Sequence, residues 1–169
     1  MSLFPPHDGA AVRELVSGRC VLMMGASGAG KSTLAAQLAG TTGAVVVSYD
    51  GHQRQVAGDT GIEPVGDLTL TKAWTELEGH CAAGRPVIMD GTHCQPQRRE
   101  KVRAVAAAYG LETVVVVLLV PLEVCLAQQR LRGRRVPDKD VIRQHEAIVT
   151  ALPLLAGEGH AAVIGVRSR

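Results

Sequence analysis

The sequence predicts an α/β fold of three layers, a five-stranded parallel sheet with helices on both faces. Three observations lead there. Five short extended runs (20–24, 44–48, 86–90, 113–120 and 161–166) are apolar almost throughout instead of alternating, as strands covered on both faces must be. Between them lie segments with apolar residues at three- and four-residue spacing, the period of a helix with one buried face. The two patterns alternate from end to end, and strands joined by helical crossovers run parallel. At 169 residues the chain has one domain's worth of core, and no repeat, composition shift or low-complexity stretch marks a second, so 1–169 reads as a single domain.

The first strand, Cys20 to Met24, runs into Gly25-Ala26-Ser27-Gly28-Ala29-Gly30-Lys31-Ser32, and a helical pattern opens at Thr33. Strand, glycine-rich loop and helix in that order form a phosphate-binding P-loop. The glycines let successive N–H groups converge on phosphate oxygens, and the helix start adds the positive end of its dipole. Lys31 is placed to reach the β- and γ-phosphates of ATP, and the Ser32 hydroxyl to ligate Mg²⁺. The backbone of 25–33, Gly25 through Thr33, is therefore the nucleotide cradle.

In open parallel sheets ligands bind beyond the carboxyl ends of the strands, so the residues after each strand are site candidates. After the second strand comes Ser48-Tyr49-Asp50-Gly51-His52-Gln53-Arg54. Asp50 there can accept a proton from a hydroxyl, hold the magnesium shell, or cap a helix over 51–56; Arg54 lies one turn on, where it can neutralise an anionic acceptor. Residues 57–67 read as a mobile loop. The next helix carries the stripe Leu70, Ala73, Trp74, Leu77 and Cys81, and Gly84 ends it.

After the third strand, Asp90-Gly91-Thr92-His93-Cys94 leads into Arg98 and Arg99, which head a helix with the stripe Val102, Val105, Ala106 and Tyr109. Asp90 is placed to support magnesium or orient an arginine. Helical side chains lean toward the N-terminus, so at least one of the two arginines should reach back to the strand ends. The fourth strand ends at Pro121, and its helix runs into Gln129-Arg130-Leu131-Arg132-Gly133-Arg134-Arg135-Val136-Pro137. This arginine-rich segment, about 128–140, reads as a lid that closes over ATP and offers guanidinium groups to the transferring phosphoryl. Asp138 is expected to cap the last long helix, whose stripe is Val141, His145, Ile148, Leu152 and Leu155, with a kink at Pro153.

Composition narrows the function classes. A net charge of +2 does not by itself call for nucleic acid, and one Trp, two Tyr and one Phe leave little for stacking on exposed bases. Four scattered cysteines with no Cys-x-x-Cys pair argue against disulfides or structural zinc and suit a reducing cytoplasm. The N-terminus has no signal-peptide pattern, and the longest strongly apolar run, 114–120, is too short to span a bilayer, so no membrane association is expected.

With these stations in place, the chain resembles the 5′-hydroxyl kinase domain of polynucleotide kinases, with zeta-toxin-like and antibiotic phosphotransferases as relatives. The resemblance covers about residues 18–166. It rests on the P-loop; on Ser48-Tyr49-Asp50, matching a strand-end Ser-x-Asp; on Asp90-Gly91-Thr92-His93, matching Asp-Ala-Thr-Asn; and on Arg132-Gly133, Val136-Pro137 and Val141-Ile142-Arg143, matching the lid and the helix behind it. The resemblance implies that Asp50 is the general base, that Arg132 is the lid arginine on the ATP phosphates with Arg130 as its companion, and that Arg99 belongs to the acceptor side. Lys31, Asp50 and Arg132 are then the catalytic set, and Arg54, Asp90, Thr92 and Arg99 the substrate-binding set. Three positions depart from the family: Gln53 stands where it has an arginine that holds the acceptor phosphate, Gln128 where it has the first lid arginine, and His93 where it has asparagine. The expected reaction moves the γ-phosphoryl of ATP, with Mg²⁺, to the 5′-hydroxyl of a DNA or RNA end. The alternatives are a kinase for a sugar, nucleoside or antibiotic hydroxyl, and a nucleotide-binding regulatory protein with little catalysis.

Overall fold

The computed structural model describes residues 9–57, 66–133 and 136–167. After a short helix α1 (Gly9–Val16), the order is β1 (Cys20–Met24), α2 (Lys31–Thr42), β2 (Val45–Ser48), α3 (Tyr49–Ala57), α4 (Asp67–Ala82), β3 (Val87–Asp90), α5 (Pro96–Ala108), β4 (Thr113–Leu119), α6 (Leu122–Arg130), α7 (Asp138–Ala151), a 3₁₀ turn (Leu152–Gly157) and β5 (Ala162–Arg167). The five strands form one parallel sheet in the order β2-β3-β1-β4-β5. Every residue of β1 and β3 is buried, so both sheet faces are covered, as their unbroken apolar runs require. Helix α2 packs against β1, β2 and β3, α4 against β2 and β3, and α5 against β1 and β4.

The chain leaves β1 for the β2 edge, returns through β3, and then crosses to β4 on the far side of β1. The strand order thus reverses at β1, and the crevice above its carboxyl end is where such sheets bind ligands. The glycine-rich loop occupies that crevice.

The apolar stripes fall mostly as the spacing predicts. Ala73, Leu77 and Cys81 are buried on α4, Val102 and Ala106 on α5, and Val141 and Ile148 on α7, with Leu155 buried in the turn beyond it. Tyr109 is the exception. It follows the last turn of α5, is 43% exposed, and its hydroxyl donates to Glu78 Oε1. Pro153 ends α7 instead of kinking it, because the chain tightens into the 3₁₀ turn from Leu152. Gly43, Gly84 and Gly110 close α2, α4 and α5 in the left-handed conformation. The loop expected over 57–67 lies largely outside the described residues, as do Arg134 and Arg135 of the expected lid. Among the described residues no helix is long and apolar enough to cross a membrane.

Candidate active site

The loop between β1 and α2 has the form its glycines predict. Gly28 and Gly30 hold φ of 89° and 92°, values an L side chain resists. A Cβ on Gly28 would meet the carbonyl oxygen of Cys125, so the loop also seats against α6. Lys31 Nζ donates to the Ala26 carbonyl at 2.9 Å, folding its stem back along the loop. Burial pulls the Lys31 ammonium down to about 8, Asp90 opposes that shift and Arg132 adds to it. Ser32 Oγ donates to Asp90 Oδ2 at 2.7 Å. Two hard oxygens held together at the end of β3 and the start of α2 suit magnesium, which would take its remaining ligands from phosphate and water. The ion, when bound, supplies charge neutralisation at the phosphates.

A cavity of about 750 Å³ opens over this loop. Ser27, Gly28, Gly30, Lys31 and Ser32 form its floor, and Asp50, Arg54, Asp90, Thr92 and Arg132 are in its walls. The structure therefore brings together most residues singled out from sequence. Gly25, Ala26, Ala29 and Thr33 do not line it, Thr33 standing in the first turn of α2. The Asp50 carboxylate accepts from Arg54 at 2.9 Å. The Arg54 charge is thus committed to the neighbouring carboxylate.

Three expectations need correction. Asp50 does not cap its helix: α3 begins at Tyr49, and Ser48 Oγ accepts the Gly51 N–H at 3.1 Å, which gives Ser48 the cap. Asp138 does not cap α7 either. It is the first residue of that helix and accepts from Arg130 at 3.2 Å, and Arg130 is not in the cavity wall. Arg99 does not reach the acceptor side. Its guanidinium is 1% exposed, donating to both carboxylate oxygens of Glu158 at 2.9 and 2.6 Å and to the His93 carbonyl at 2.8 Å. The arginine beside it, Arg98, lines the cavity instead.

A family model described as "AAA domain" matches residues 20–151. The chain belongs to this family. A search of curated proteins gives no match. Among solved structures the chain is similar to a gluconokinase from Sinorhizobium meliloti 1021, at 19% identity over 89% of this chain and 82% of that one, with a TM-score of 0.62. It is also similar to a sugar kinase from Janibacter sp. (20% identity, 88% and 84% covered, TM-score 0.56). A shikimate kinase from Acinetobacter baumannii, in complex with shikimate, aligns at 17% identity over 93% and 89% of the two chains, with a TM-score of 0.58. The fold is that of P-loop kinases.

Two residues of this AAA domain reach the site without a sequence signal. Gln144 Oε1, on α7, accepts the Ser27 N–H at 2.9 Å and so holds the glycine-rich loop from above. Gln129, fully buried, accepts the Val136 N–H at 3.1 Å and draws the ends of the α6–α7 connection together. Both are glutamines beside the buried stripes of their helices, Gln129 one turn after Cys125 and Gln144 between Val141 and Ile148, and their residue type alone marks neither for the site.

His93 has a different role from any the sequence suggested. It is buried at φ 45°, its Nδ1–H donating to the Met23 carbonyl at 2.6 Å. Nε2 is then the acceptor for the Tyr49 hydroxyl at 3.2 Å, and Tyr49 in turn accepts from Trp74 Nε1 at 3.3 Å. Burial pushes the imidazole down to about 4; the Met23 carbonyl opposes this, and Arg98, Arg99 and Lys31 add to it. The chain of bonds ties β1, just below the glycine-rich loop, to the residue before Asp50. Gly91 is required there, because a Cβ would enter the Tyr49 ring.

Proposed function

We propose that the protein is an ATP-dependent kinase that transfers the γ-phosphoryl to a hydroxyl of a small polar molecule. The observation that carries this reading is that one cavity has Lys31 and Ser32 of the glycine-rich loop in its floor and the Asp50 carboxylate in its wall. Its volume, about 750 Å³, suits a polyphosphate tail and a compact acceptor. In this reading the loop amides and Lys31 bind the ATP phosphates, and Ser32 with Asp90 holds Mg²⁺. Asp50 takes the acceptor's hydroxyl proton as its oxygen bonds to phosphorus, and Lys31 and Arg132 stabilise the negative charge that spreads over the transferring group. Thr92 and the α5 wall hold the acceptor. The arginine-rich segment, about 128–140, acts as the lid over ATP.

A 5′-hydroxyl nucleic-acid end is the second reading, supported by the motif resemblance to polynucleotide kinases. It is the less favoured of the two because Gln53, at the position of the arginine that grips the acceptor phosphate, is buried, with its Oε1 accepting from Thr69. The test is ADP formation by the purified chain with ATP, Mg²⁺ and separate panels of sugars, sugar acids, nucleosides, aminoglycosides and a 5′-hydroxyl oligonucleotide. A small-molecule panel should give turnover that Asp50→Asn lowers by roughly 10²- to 10⁴-fold with ATP binding intact. Turnover with the oligonucleotide alone reverses the ranking, and full turnover by Asp50→Asn removes the base from the mechanism.

A further inference from the structure

Five cationic side chains line the cavity: Lys31, Arg54, Arg98, Arg132 and Arg143. Four have an assignment. Arg54 is paired with Asp50, and Arg143 with Asp140 at 2.9 Å. Lys31 and Arg132 face the place of the donor phosphates. Arg98 is left over. It is half-buried in the first turn of α5, and among the described residues it has no ion pair and no side-chain hydrogen bond. Its Nε is shut off from solvent and has no partner. The carboxylates that line the cavity with it, Asp50, Asp90 and Asp140, are bonded to Arg54, Ser32 and Arg143, and Glu158 beyond the cavity is bonded to Arg99.

An uncompensated guanidinium costs free energy wherever its donors are partly desolvated, and the fork geometry is suited to one kind of partner, an oxyanion with two oxygens in a plane or on a tetrahedron. The helix start adds positive potential in the same direction. Thr92 and Gln95 flank Arg98 in the wall, offering further polar atoms to the same molecule.

We propose that the phosphoryl acceptor carries an anionic group, a carboxylate or a phosphate, in addition to the hydroxyl that reacts, and that Arg98 receives it. The anion supplies the counter-charge that the fold withholds from Arg98 and fixes which hydroxyl is turned to Asp50. This rests on the kinase reading above and narrows its substrate class.

Matched acceptors that differ in one group test it: glycerate against glycerol, gluconate against glucitol, and a hexose monophosphate against the free hexose, each with ATP and the full chain. In at least one pair the charged member should have the higher kcat/KM, by roughly 10- to 100-fold, and the responding pair tells carboxylate from phosphate. Arg98→Gln should raise KM for the charged member by that factor, closing the gap between the two members of the pair, while leaving KM for ATP unchanged. Arg98→Lys should keep part of the preference. Neutral members used as well as charged ones overturn the proposal and leave the kinase reading standing, and so does an intact preference in Arg98→Gln. No turnover with any member, charged or neutral, nor with any acceptor of the wider panels above, overturns both. The wild-type comparison holds even if Arg98→Gln fails to fold.

Discussion

Arg99 distinguishes a reading from motif position from a reading from packing, and Arg99→Met separates them experimentally. If the side chain held the acceptor, its loss would raise the acceptor KM and leave stability alone. The structure predicts the reverse. The substitution deletes both bonds to Glu158, whose side chain is 21% exposed, and the bond to the His93 carbonyl. Removing one partner of a buried ion pair costs about 3–5 kcal/mol, mostly through the charge left behind, and the orphaned carbonyl overlaps with that cost. Taking about 4 kcal/mol and about 2–4 °C per kcal/mol for a chain of this size, the melting midpoint should fall by roughly 8–16 °C. Urea unfolding with an unchanged m-value measures the loss directly. Arg99→Met combined with Glu158→Met should be less destabilised than the sum of the two single changes, because the stranded charge is gone. The pair also fixes an acid limb. Burial alone would raise the Glu158 carboxyl, but the Arg99 hydrogen bonds and charge, with His160, hold it below its ordinary 4.5. Its contribution is therefore complete above 4.5 and is lost as pH falls through the lowered value. A loss under about 1 kcal/mol, or a raised acceptor KM at full stability, would refute the reasoning.

Three further outcomes follow from the same geometry. His93 is held neutral, with its value depressed from 6.5 to about 4, so the unfolded chain binds the extra proton between those limits. Stability should fall as pH drops through that window, and His93→Asn should flatten that part of the profile in denaturant titrations at stepped pH. Lys31 loses its proton near 8 in the nucleotide-free protein, whereas bound phosphates favour the charged form. ATP affinity, measured by calorimetry, should be level below that pH and decline above it, and Lys31→Met should abolish the decline. Gly28→Ala forces a side chain onto the Cys125 carbonyl at φ 89°. It should cost about 1–3 kcal/mol in thermal melts and weaken ATP binding, whereas wild-type behaviour would mean that the loop has room the structure denies it.

The five strands, their parallel sense and the glycine-rich loop were legible because each depends on contiguous residues: an apolar run, or a fixed spacing of glycines, lysine and serine. The cavity residues after β2 and β3 were legible from the rule that sites form at strand ends. The helix caps were missed for a local reason. Ser48 and Asp50 are both cap formers, and which one caps depends on whether β2 hands over to the helix at residue 48 or 50. The Tyr49–His93–Met23 chain was missed because its members are 44 and 70 residues apart and no periodicity marks them.

What the sequence determined by itself is a parallel sheet with a phosphate-binding loop at its centre and a carboxylate after each of two strands. Only the tertiary structure decided which side chains complete the site. Arg98 and Arg99 are adjacent in sequence but about 100° apart around the helix axis, and no local signal says which one turns inward. Glu158, 59 residues away, settles it by taking Arg99 into the interior, which leaves Arg98 in the cavity wall without a counter-charge among the described residues.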